Sequence, residues 1–378
     1  MKKRIGSLLL LLPLLLTCCA APSTLPSTTT EGGGSDAPSE TIPPVTDPPV
    51  TYESVTLTDF SALPTIGRVL PPQEGRLGLE WTGSGFVLRG WFDGPITALL
   101  YSEGGLGVMV NVEVDGVTVP SKRLELGIKR LTLCNVEKGY HTIVFRKTSE
   151  GSTSRLQLRS LSFTGMLDTS PAEAKPLIEF IGDSITCGVG SYPEAVGAQD
   201  WDYLTHCDFM HSYAAMTARA LGADATLAAV SGWGVVCGAT SPSHRIPDIY
   251  ELTSYVVDPD TKWDFTARPA DVVVIALGTN DGAATAAQKA EYKASALAFL
   301  QKVREKNPDA FIVWQYGMMG REFESAIREA VAEMKDERVV YLSQKTNGAG
   351  GWGHPSYEAQ KGYAEALSEL LRPELAGE

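Results

Sequence analysis

The pattern of hydrophobic residues changes near residue 170, and this change restricts the fold more than any other feature of the sequence. From about Ser54 to Gly165, short runs of β-branched and aromatic residues follow one another with no helical pattern of comparable length between them. From Pro176 onward, short apolar runs alternate with segments of helical spacing. Because the two patterns belong to different layer architectures, we predict two folding units, residues 53–168 and residues 174–378.

The first unit is predicted to be all β. Five runs have strand character: Ile96 to Tyr101, Val108 to Val114, Val117 to Val119, Thr142 to Phe145 and Leu156 to Phe163. The dipeptide Asp115-Gly116 separates two alternating runs and accepts positive φ angles, which indicates a two-residue hairpin. These features favour a β-sandwich, with jelly-roll topology as a working assumption.

The second unit is predicted to belong to the α/β class. Its predicted strands are Leu177 to Ile181, Ala225 to Val230, Asp271 to Leu277, Phe311 to Tyr316 and Val339 to Ser343. Its predicted helices are His211 to Leu221, Gln288 to Lys306, Arg321 to Lys335 and Tyr357 to Leu371. Such alternation predicts a parallel sheet sandwiched by helices, and functional sites in these sheets lie at the carboxyl ends of the strands.

The first 19 residues have the features of an export signal. Three basic residues at positions 2 to 4 precede an apolar core from Leu8 to Leu16, which is too short to cross a bilayer as a helix. Cys18 and Cys19 follow this core, as in a bacterial lipobox, where the cysteine becomes the lipidated first residue. We predict an extracellular protein anchored to the membrane through Cys19, with Cys18 as the alternative lipid site. Ordinary secretion after cleavage nearby is the other possibility.

Residues 20–52 are predicted to form a flexible linker. They consist of Pro, Ser, Thr, Gly and acidic residues with almost no large apolar side chains, so they cannot bury enough surface to fold. The whole chain has a formal net charge of -13. A surface this acidic repels phosphate backbones, which argues against nucleic acid as a partner and is compatible with a neutral glycan.

The cysteine and histidine content indicates neither a metal site nor a cofactor. Cys134, Cys187, Cys207 and Cys237 show no C-x-x-C spacing, and no two histidines stand at i and i+4. Export permits disulfides, but four cysteines allow three pairings, and free buried thiols are equally compatible with the sequence.

Four loops after predicted strands carry residues suited to acyl transfer. Ser184 lies in Gly-Asp-Ser-Ile-Thr, Gly232 in Val-Ser-Gly-Trp-Gly, Asn280 in Gly-Thr-Asn-Asp and His354 in Gly-His-Pro. Taken singly, each motif has a plainer explanation as a turn. Together, and in this order, they indicate a hydrolytic site at one edge of the sheet.

These four residues resemble the Ser, Gly, Asn and His that name the SGNH hydrolases, a branch of the GDSL esterases. The stretches Ile181 to Gly190, Asp208 to Ala215 and Trp352 to Pro355 look like carbohydrate esterase family 2. The resemblance implies a flavodoxin-like SGNH domain after a jelly-roll domain, and removal of acetyl groups from xylan, mannan or glucomannan.

The resemblance also implies roles for the four residues. Ser184 would be the nucleophile and His354 its general base. The N–H groups of Ser184 and Gly232, together with the Asn280 amide, would form the oxyanion hole. The partners implied are acetylated polysaccharides or oligosaccharides, with no nucleic acid. A lipase or arylesterase of the same fold is an alternative, as is a carbohydrate-binding protein with little turnover.

One position departs from the SGNH pattern. These enzymes usually carry Asp three residues before the histidine, where this chain has Gly351. We therefore expect a backbone carbonyl of Gly351 or Trp352 to orient His354. Three acids near other loops remain as alternatives: Asp202, Asp208 and Asp281.

Five aromatic residues in predicted loops are candidates for contact with sugar rings. They are Trp233, Trp352, Tyr192, Trp201 and Trp263. Aromatic faces stack on the apolar faces of sugars, and Trp233 and Trp352 flank the candidate site residues. Local packing is an equally good explanation for each of them.

Overall fold

The structure, a computed structural model, describes residues 51–198 and 202–376. The predicted signal peptide, nearly all of the predicted linker, both candidate lipid sites (Cys18 and Cys19) and Trp201 lie outside the described residues. Among those that are described, no helix is long and apolar enough to span a membrane.

The N-terminal half contains a large antiparallel sheet. Its strands are β1 Ser54–Leu57, β2 Thr65–Ile66, β3 Leu77–Leu79, β4 Gly85–Gly104, β5 Val108–Val114, β6 Val117–Thr118, β7 Lys122–Leu124, β8 Gly127–Lys147 and β9 Ser154–Leu167. The main hydrogen-bonded order is β1-β9-β4-β8-β5-β6. The predicted hairpin between β5 and β6 is confirmed, since Asp115 and Gly116 both have positive φ and Val114 pairs with Val117.

Strands β4 and β8 are much longer than the sequence predicts. The prediction for β8 covered only its last quarter, from Thr142 to Phe145, whereas the strand begins at Gly127. Strand β4 has register shifts against β8 between Phe92 and Gly94 and again between Ile96 and Thr97. Irregularities of this kind bend a strand, so β4 continues through them well beyond the single short run, Ile96 to Tyr101, that the sequence predicts.

The C-terminal half contains the predicted parallel sheet. Its strands are β10 Leu177–Gly182, β11 Asp224–Ala229, β12 Val272–Ala276, β13 Phe311–Tyr316 and β14 Val339–Ser343. They lie in the order β11-β10-β12-β13-β14, which is the flavodoxin-like order 2-1-3-4-5. Every residue of β10, β12 and β13 is buried, as expected for strands covered on both faces.

Helices cover both faces of this sheet. They are α1 Ser184–Cys187, α2 Tyr203–His206, α3 Tyr213–Ala220, α4 Ile246–Ile249, α5 Ala286–Lys306, α6 Glu324–Met334 and α7 Tyr357–Leu375. Helices α3 and α7 contribute to one core, and α5 and α6 to the core on the opposite face. Helix α5 begins with a capping box of Thr285 and Gln288, which fixes its start two residues before the predicted one.

The two halves meet through buried side chains, several of them charged. Arg68, between β2 and β3, forms a 2.7 Å ion pair with Glu179 of β10, and both side chains are buried. Trp81 belongs to the apolar core beneath α5 and α6 and donates its ring N–H to the Thr253 carbonyl. The described residues therefore form one compact unit rather than two loosely joined ones.

Candidate active site

Ser184 stands at the carboxyl end of the central strand β10. Gly182 ends the strand, and Asp183 caps the short helix α1 by accepting a hydrogen bond from the Ile185 N–H at 3.0 Å. Ser184 is buried, with 6% of its surface exposed. Its N–H is the first of the helix and therefore has no acceptor within it, which leaves it available to a bound oxyanion.

His354 reaches Ser184 from the turn that precedes α7. Its Nε2 lies 2.9 Å from the Ser184 Oγ, although the two residues are 170 positions apart in the sequence. Burial lowers the pKa of His354 below its ordinary value, while the nearby carbonyls of Gly351 and Trp352 and the charge of Glu150 act to raise the pKa. A neutral imidazole at this distance can accept the Ser184 proton.

The second nitrogen of the His354 ring has no carboxylate beside it. Nδ1 is buried and forms no hydrogen bond with any described residue. The carbonyls of Gly351 and Trp352 are near enough to favour the protonated ring without making a well-aligned bond. Trp352 adopts a left-handed conformation (φ 50°) inside this turn, a strained choice for a tryptophan. Orientation of His354 by a backbone carbonyl stays a prediction.

The three acids considered as alternative partners of His354 are engaged elsewhere. Asp281 accepts hydrogen bonds from the N–H groups of residues 235 to 237. Asp208 accepts one from the Met210 N–H and lies 3.8 Å from the His211 ring. Asp202 forms an exposed ion pair with Arg123 of β7.

Gly232 lies at the same edge of the sheet as Ser184 because strands β11 and β10 are neighbours. Gly182 pairs with Ala229, and the Val230 N–H donates to the Gly182 carbonyl at 3.2 Å. Gly232 has a φ of 77°, which favours glycine, and a Cβ placed there would meet nothing within 4 Å. Open space therefore borders this backbone, and a substrate can approach it closely.

Asn280 connects two of the site loops. Its side-chain amide donates to the Trp233 carbonyl at 3.0 Å and to Asp183 Oδ2 at 3.2 Å. Both amide hydrogens thus have acceptors in this structure. The role of Asn280 as an oxyanion donor stays a prediction, and it would require one of these bonds to be exchanged for the substrate oxygen.

Burial also shifts the pKa of two carboxyl groups, those of Asp183 and Asp281, which are sequence neighbours of Ser184 and Asn280. It raises the pKa of Asp183 to about 7, with the charges of Asp281 and Glu150 adding to the rise. It raises the pKa of Asp281 to about 6, against three backbone N–H groups that act in the opposite direction. Strongly perturbed groups of this kind often cluster at functional sites, which supports placing the site here.

The predicted sugar-contacting residues lie in different places. Trp233 stacks face to face on His244, with ring centroids 4.8 Å apart and an interplanar angle of 3°. Trp352 meets His206 edge to face, and Tyr192 meets His211 in the same way. The Trp263 ring instead lies against Arg68, at the seam between the two halves. Contact of these residues with a sugar stays a prediction.

One residue near the site escaped the sequence analysis altogether. Glu150, in the connection between β8 and β9, is 2% exposed and accepts hydrogen bonds from the N–H and hydroxyl of Ser231, next to Gly232. Its sequence context, Thr-Ser-Glu-Gly-Ser, is typical of an exposed turn and gives no local sign of this contact.

No group of three or more potential metal ligands occurs in the described part of the chain.

Comparison with known proteins identifies the family. The family model of GDSL-like lipases and acylhydrolases matches residues 180–374. The cellulase/esterase CelE of Acetivibrio thermocellus is 29% identical over 310 residues, which is 78% of this chain and 37% of CelE. An acetylxylan esterase/glucomannan deacetylase of Cellvibrio japonicus is 25% identical over 287 residues, covering 73% of this chain and 79% of that protein. The chain thus spans just over a third of the length of CelE.

Solved structures of similar proteins share both halves of the fold. A family two carbohydrate esterase from Clostridium thermocellum, solved with cellohexaose, has a TM-score of 0.75 and 28% identity, over 83% of this chain and 99% of that one. The acetyl xylan esterase Est2A from Butyrivibrio proteoclasticus has a TM-score of 0.77 and 23% identity, over 86% and 99% of the chains. The resemblance to SGNH hydrolases and to family 2 carbohydrate esterases that the sequence suggested is confirmed. Since the matched segment spans more than half of the chain and contains Ser184, Gly232, Asn280 and His354, the chain belongs to the GDSL-like lipase/acylhydrolase family.

Proposed function

We propose that this protein is an esterase that removes O-acetyl groups from plant polysaccharides such as xylan, mannan or glucomannan. The observation that carries the proposal is the 2.9 Å contact between Ser184 Oγ and His354 Nε2, bordered by the open backbone at Gly232. A nucleophile, a base and a free approach for an acyl group are the minimum that ester hydrolysis by an acyl-enzyme requires.

Acylation begins when Ser184 Oγ attacks the acetyl carbonyl carbon and its proton passes to Nε2 of His354. The carbonyl oxygen becomes an oxyanion and accepts hydrogen bonds from the N–H groups of Ser184 and Gly232 and from the Asn280 amide. Each such donor lowers the barrier by about 3 kcal/mol. The bond from the carbonyl carbon to the sugar oxygen then breaks, His354 gives its proton to that oxygen, and the sugar leaves as an alcohol.

Deacylation repeats these steps with water. His354 takes a proton from the water as its oxygen attacks the acetyl-Ser184 carbonyl, and the same donors hold the second oxyanion. Collapse of this intermediate breaks the bond to Ser184 Oγ, which recovers its proton from His354, and acetate leaves. No cofactor or metal enters either step.

The relatives and the residues around the site support the proposed substrate class. The Cellvibrio japonicus relative is named an acetylxylan esterase/glucomannan deacetylase, and the Clostridium thermocellum esterase was solved with a glucose oligomer. Trp233, Trp352 and Tyr192 are the aromatic residues proposed to contact the glycan chain. Trp201 and Trp263 are proposed as further contacts with the glycan.

A carbohydrate-binding protein with little turnover is the second candidate. Two observations favour it: His354 Nδ1 has no carboxylate partner among the described residues, and a relative was solved with bound cellohexaose. A lipase or arylesterase is the third candidate, and its only support is the breadth of the matching family.

The proposal extends to the parts of the chain that surround the catalytic unit. Residues 53–168 are proposed to be a β-sandwich with jelly-roll topology, and residues 174–378 the catalytic domain. Residues 1–19 would be the signal peptide, and residues 20–52 the linker to a lipid anchor on Cys19 or, in its place, Cys18. The protein would then act outside the cell while held at the membrane.

Release of acetate separates these candidates. The protein is incubated with acetylated xylan and acetylated glucomannan, and free acetate is measured over time, with the deacetylated polymers as controls. An esterase releases acetate from the acetylated polymers at a catalytic rate. Retention on the polymers without release supports the binding protein, and hydrolysis restricted to long-chain acyl esters supports the lipase.

A further inference from the structure

A carboxylate from the antiparallel half holds the backbone of the loop that contains Gly232. Glu150 lies between β8 and β9, and Ser231 is the second residue after β11, so the contact joins the two halves of the molecule. The Ser231 N–H donates to Glu150 Oε2 at 2.9 Å, and the Ser231 hydroxyl donates to Oε1. Two donors of one residue thus meet the two oxygens of one carboxylate, which fixes both the position and the rotation of Ser231.

The carboxylate itself is firmly anchored. The Glu150 carbonyl accepts hydrogen bonds from the Ser154 N–H at 3.1 Å and the Thr153 hydroxyl at 2.9 Å, which closes a tight turn. The Ser152 hydroxyl donates to Oε2 at 3.2 Å. Glu150 is therefore a rigid acceptor, since its backbone and its side chain are both held by its own turn.

Glu150 also lies within the electrostatic environment of the reacting groups. Its charge raises the pKa of Asp183, which precedes Ser184, and acts to raise the pKa of His354. Lys147 is fully buried nearby, and burial lowers its pKa to about 7 while Glu150 acts to raise it. Burying a carboxylate costs free energy unless it is well paired, which indicates that Glu150 has a role at this place.

The need for such an anchor arises from Gly232. This residue has a φ of 77°, and a Cβ placed on it would meet no atom within 4 Å, so no packing holds it on that side. Its carbonyl accepts a hydrogen bond from the Ala239 N–H at 2.8 Å, which leaves the direction of its own N–H to the Ser231 side of the peptide. Its N–H makes no hydrogen bond with a described residue. Such an N–H stabilises an oxyanion effectively only if it points at the position of the oxyanion before the reaction. Reorienting it during the reaction costs free energy that offsets the stabilisation.

We propose that Glu150 is a positioning residue for the oxyanion hole: by holding the amide and hydroxyl of Ser231, it fixes the direction of the neighbouring Gly232 N–H. This inference rests on the proposed esterase function. Through Glu150, the antiparallel half helps to stabilise the transition state without contacting the substrate. Glu150 is not a catalytic residue, since it acts through Ser231.

The matched control is Glu80, a second buried carboxylate that the antiparallel half places in the same seam. It is 6% exposed and accepts hydrogen bonds from the N–H groups of residues 255 to 257, which lie in a different loop. Glu80→Gln removes the same charge from the same seam without touching Ser231. A general loss of packing would affect both variants, whereas the positioning of Gly232 is specific to Glu150.

The test compares Glu150→Gln with Glu80→Gln on p-nitrophenyl acetate, a small ester that does not depend on glycan contacts. Loss of one oxyanion donor costs about a hundredfold to a thousandfold in kcat, so a misaimed donor is expected to cost about tenfold to a hundredfold. We expect this fall in kcat for Glu150→Gln with KM changed less than about twofold. Glu80→Gln should leave kcat within about twofold. A kcat for Glu150→Gln equal to that of Glu80→Gln overturns the proposal.

A second measurement does not depend on activity. The NMR order parameter of the Gly232 amide should fall from about 0.85 toward 0.6 in Glu150→Gln and stay unchanged in Glu80→Gln. If the wild-type protein hydrolyses no acetyl ester, the proposed function fails, and the order parameter alone decides the positioning. A Gly232 amide that stays rigid in Glu150→Gln refutes it. Should Glu150→Gln not fold, Ser231→Ala removes one of the two contacts, and an unchanged kcat in that variant overturns the proposal as well.

Discussion

The two halves of this molecule use their polar side chains in different ways. In the parallel half, the candidate reacting groups lie at one edge of the sheet: Ser184 begins α1 after β10, Asn280 follows β12 and His354 precedes α7. In the antiparallel half, three buried charged residues lie in connections between strands and bond to the other half. They are Arg68, Glu80 and Glu150.

This difference follows from how each sheet is covered. Strands β10, β12 and β13 are buried on both faces, so the loops at their ends are where reactive side chains can meet a substrate. Strand β4 alternates buried and partly exposed residues and builds a core of its own. The charged groups between the halves therefore serve as supports, and among those named here Glu150 is the one proposed to support a loop of the active site. Substitution of a reacting residue should therefore lower activity with little effect on stability. Substitution in an ion pair between the halves should lower stability with little effect on activity.

The largest expected effect tests the catalytic side of this comparison. Ser184→Ala removes the nucleophilic hydroxyl, which forms a hydrogen bond with His354. We expect kcat on acetylated xylan to fall by at least about a thousandfold while the free energy of unfolding changes by less than about 1 kcal/mol. The measurements are acetate release and denaturant unfolding.

Ser212→Ala is the control for Ser184→Ala, and we expect it to lower stability without lowering activity. Ser212 caps helix α3, away from the reacting groups, by accepting a hydrogen bond from the Ala215 N–H. Its loss should cost about 1 kcal/mol of stability and leave kcat unchanged. Acetyl esterase activity that persists in Ser184→Ala would show that another residue is the nucleophile.

The next effect tests the supporting side. Arg68→Met leaves Glu179 buried without its ion-pair partner at 2.7 Å. Breaking a buried pair in this way lowers the free energy of unfolding by about 3–5 kcal/mol. Because neither residue touches Ser184 or His354, kcat per folded molecule should stay within about twofold, as measured by active-site titration alongside urea unfolding.

Lys293→Met is the control for Arg68→Met. Lys293 forms a 3.0 Å ion pair with Glu333 at the surface between α5 and α6, with both side chains at least one third exposed. An exposed pair contributes about 0–1 kcal/mol, so stability should hardly change. Equal losses in the two variants, or a large fall in kcat for Arg68→Met, would contradict a purely supporting role for this pair.

The smallest effect is a pH dependence that sharpens the role of His354. Burial lowers its pKa below 6.5, and the protonated ring cannot accept the Ser184 proton. Activity should therefore rise with pH, about tenfold per unit in kcat/KM on the acid side, and level off with a midpoint below 6.5. A profile that stays flat at every acidic pH where the protein remains folded, or a midpoint well above 6.5, would argue against His354 as the base.

The sequence predicted the parallel half far better than the antiparallel half. Its fully buried strands are continuous apolar runs, so local patterns suffice to predict them. The cap at Thr285 is also a local signal, although the prediction did not use it and placed the start of α5 two residues late. In the antiparallel half, β4 and β8 extend over 20 and 21 residues through bends that no local pattern predicts. The hairpin at Asp115-Gly116 was predictable because its turn chemistry is local.

By itself, then, the sequence determined the order and type of elements in the catalytic half and the identity of Ser184 and His354 as candidates. These follow from residue type and from position at the end of a strand, both of which are local properties. Only the tertiary structure decided that His354 Nδ1 has no hydrogen-bond partner among the described residues and that Glu150 holds Ser231, 81 positions away. Such contacts depend on how the two halves pack, and packing brings together residues whose sequence neighbourhoods carry no sign of each other.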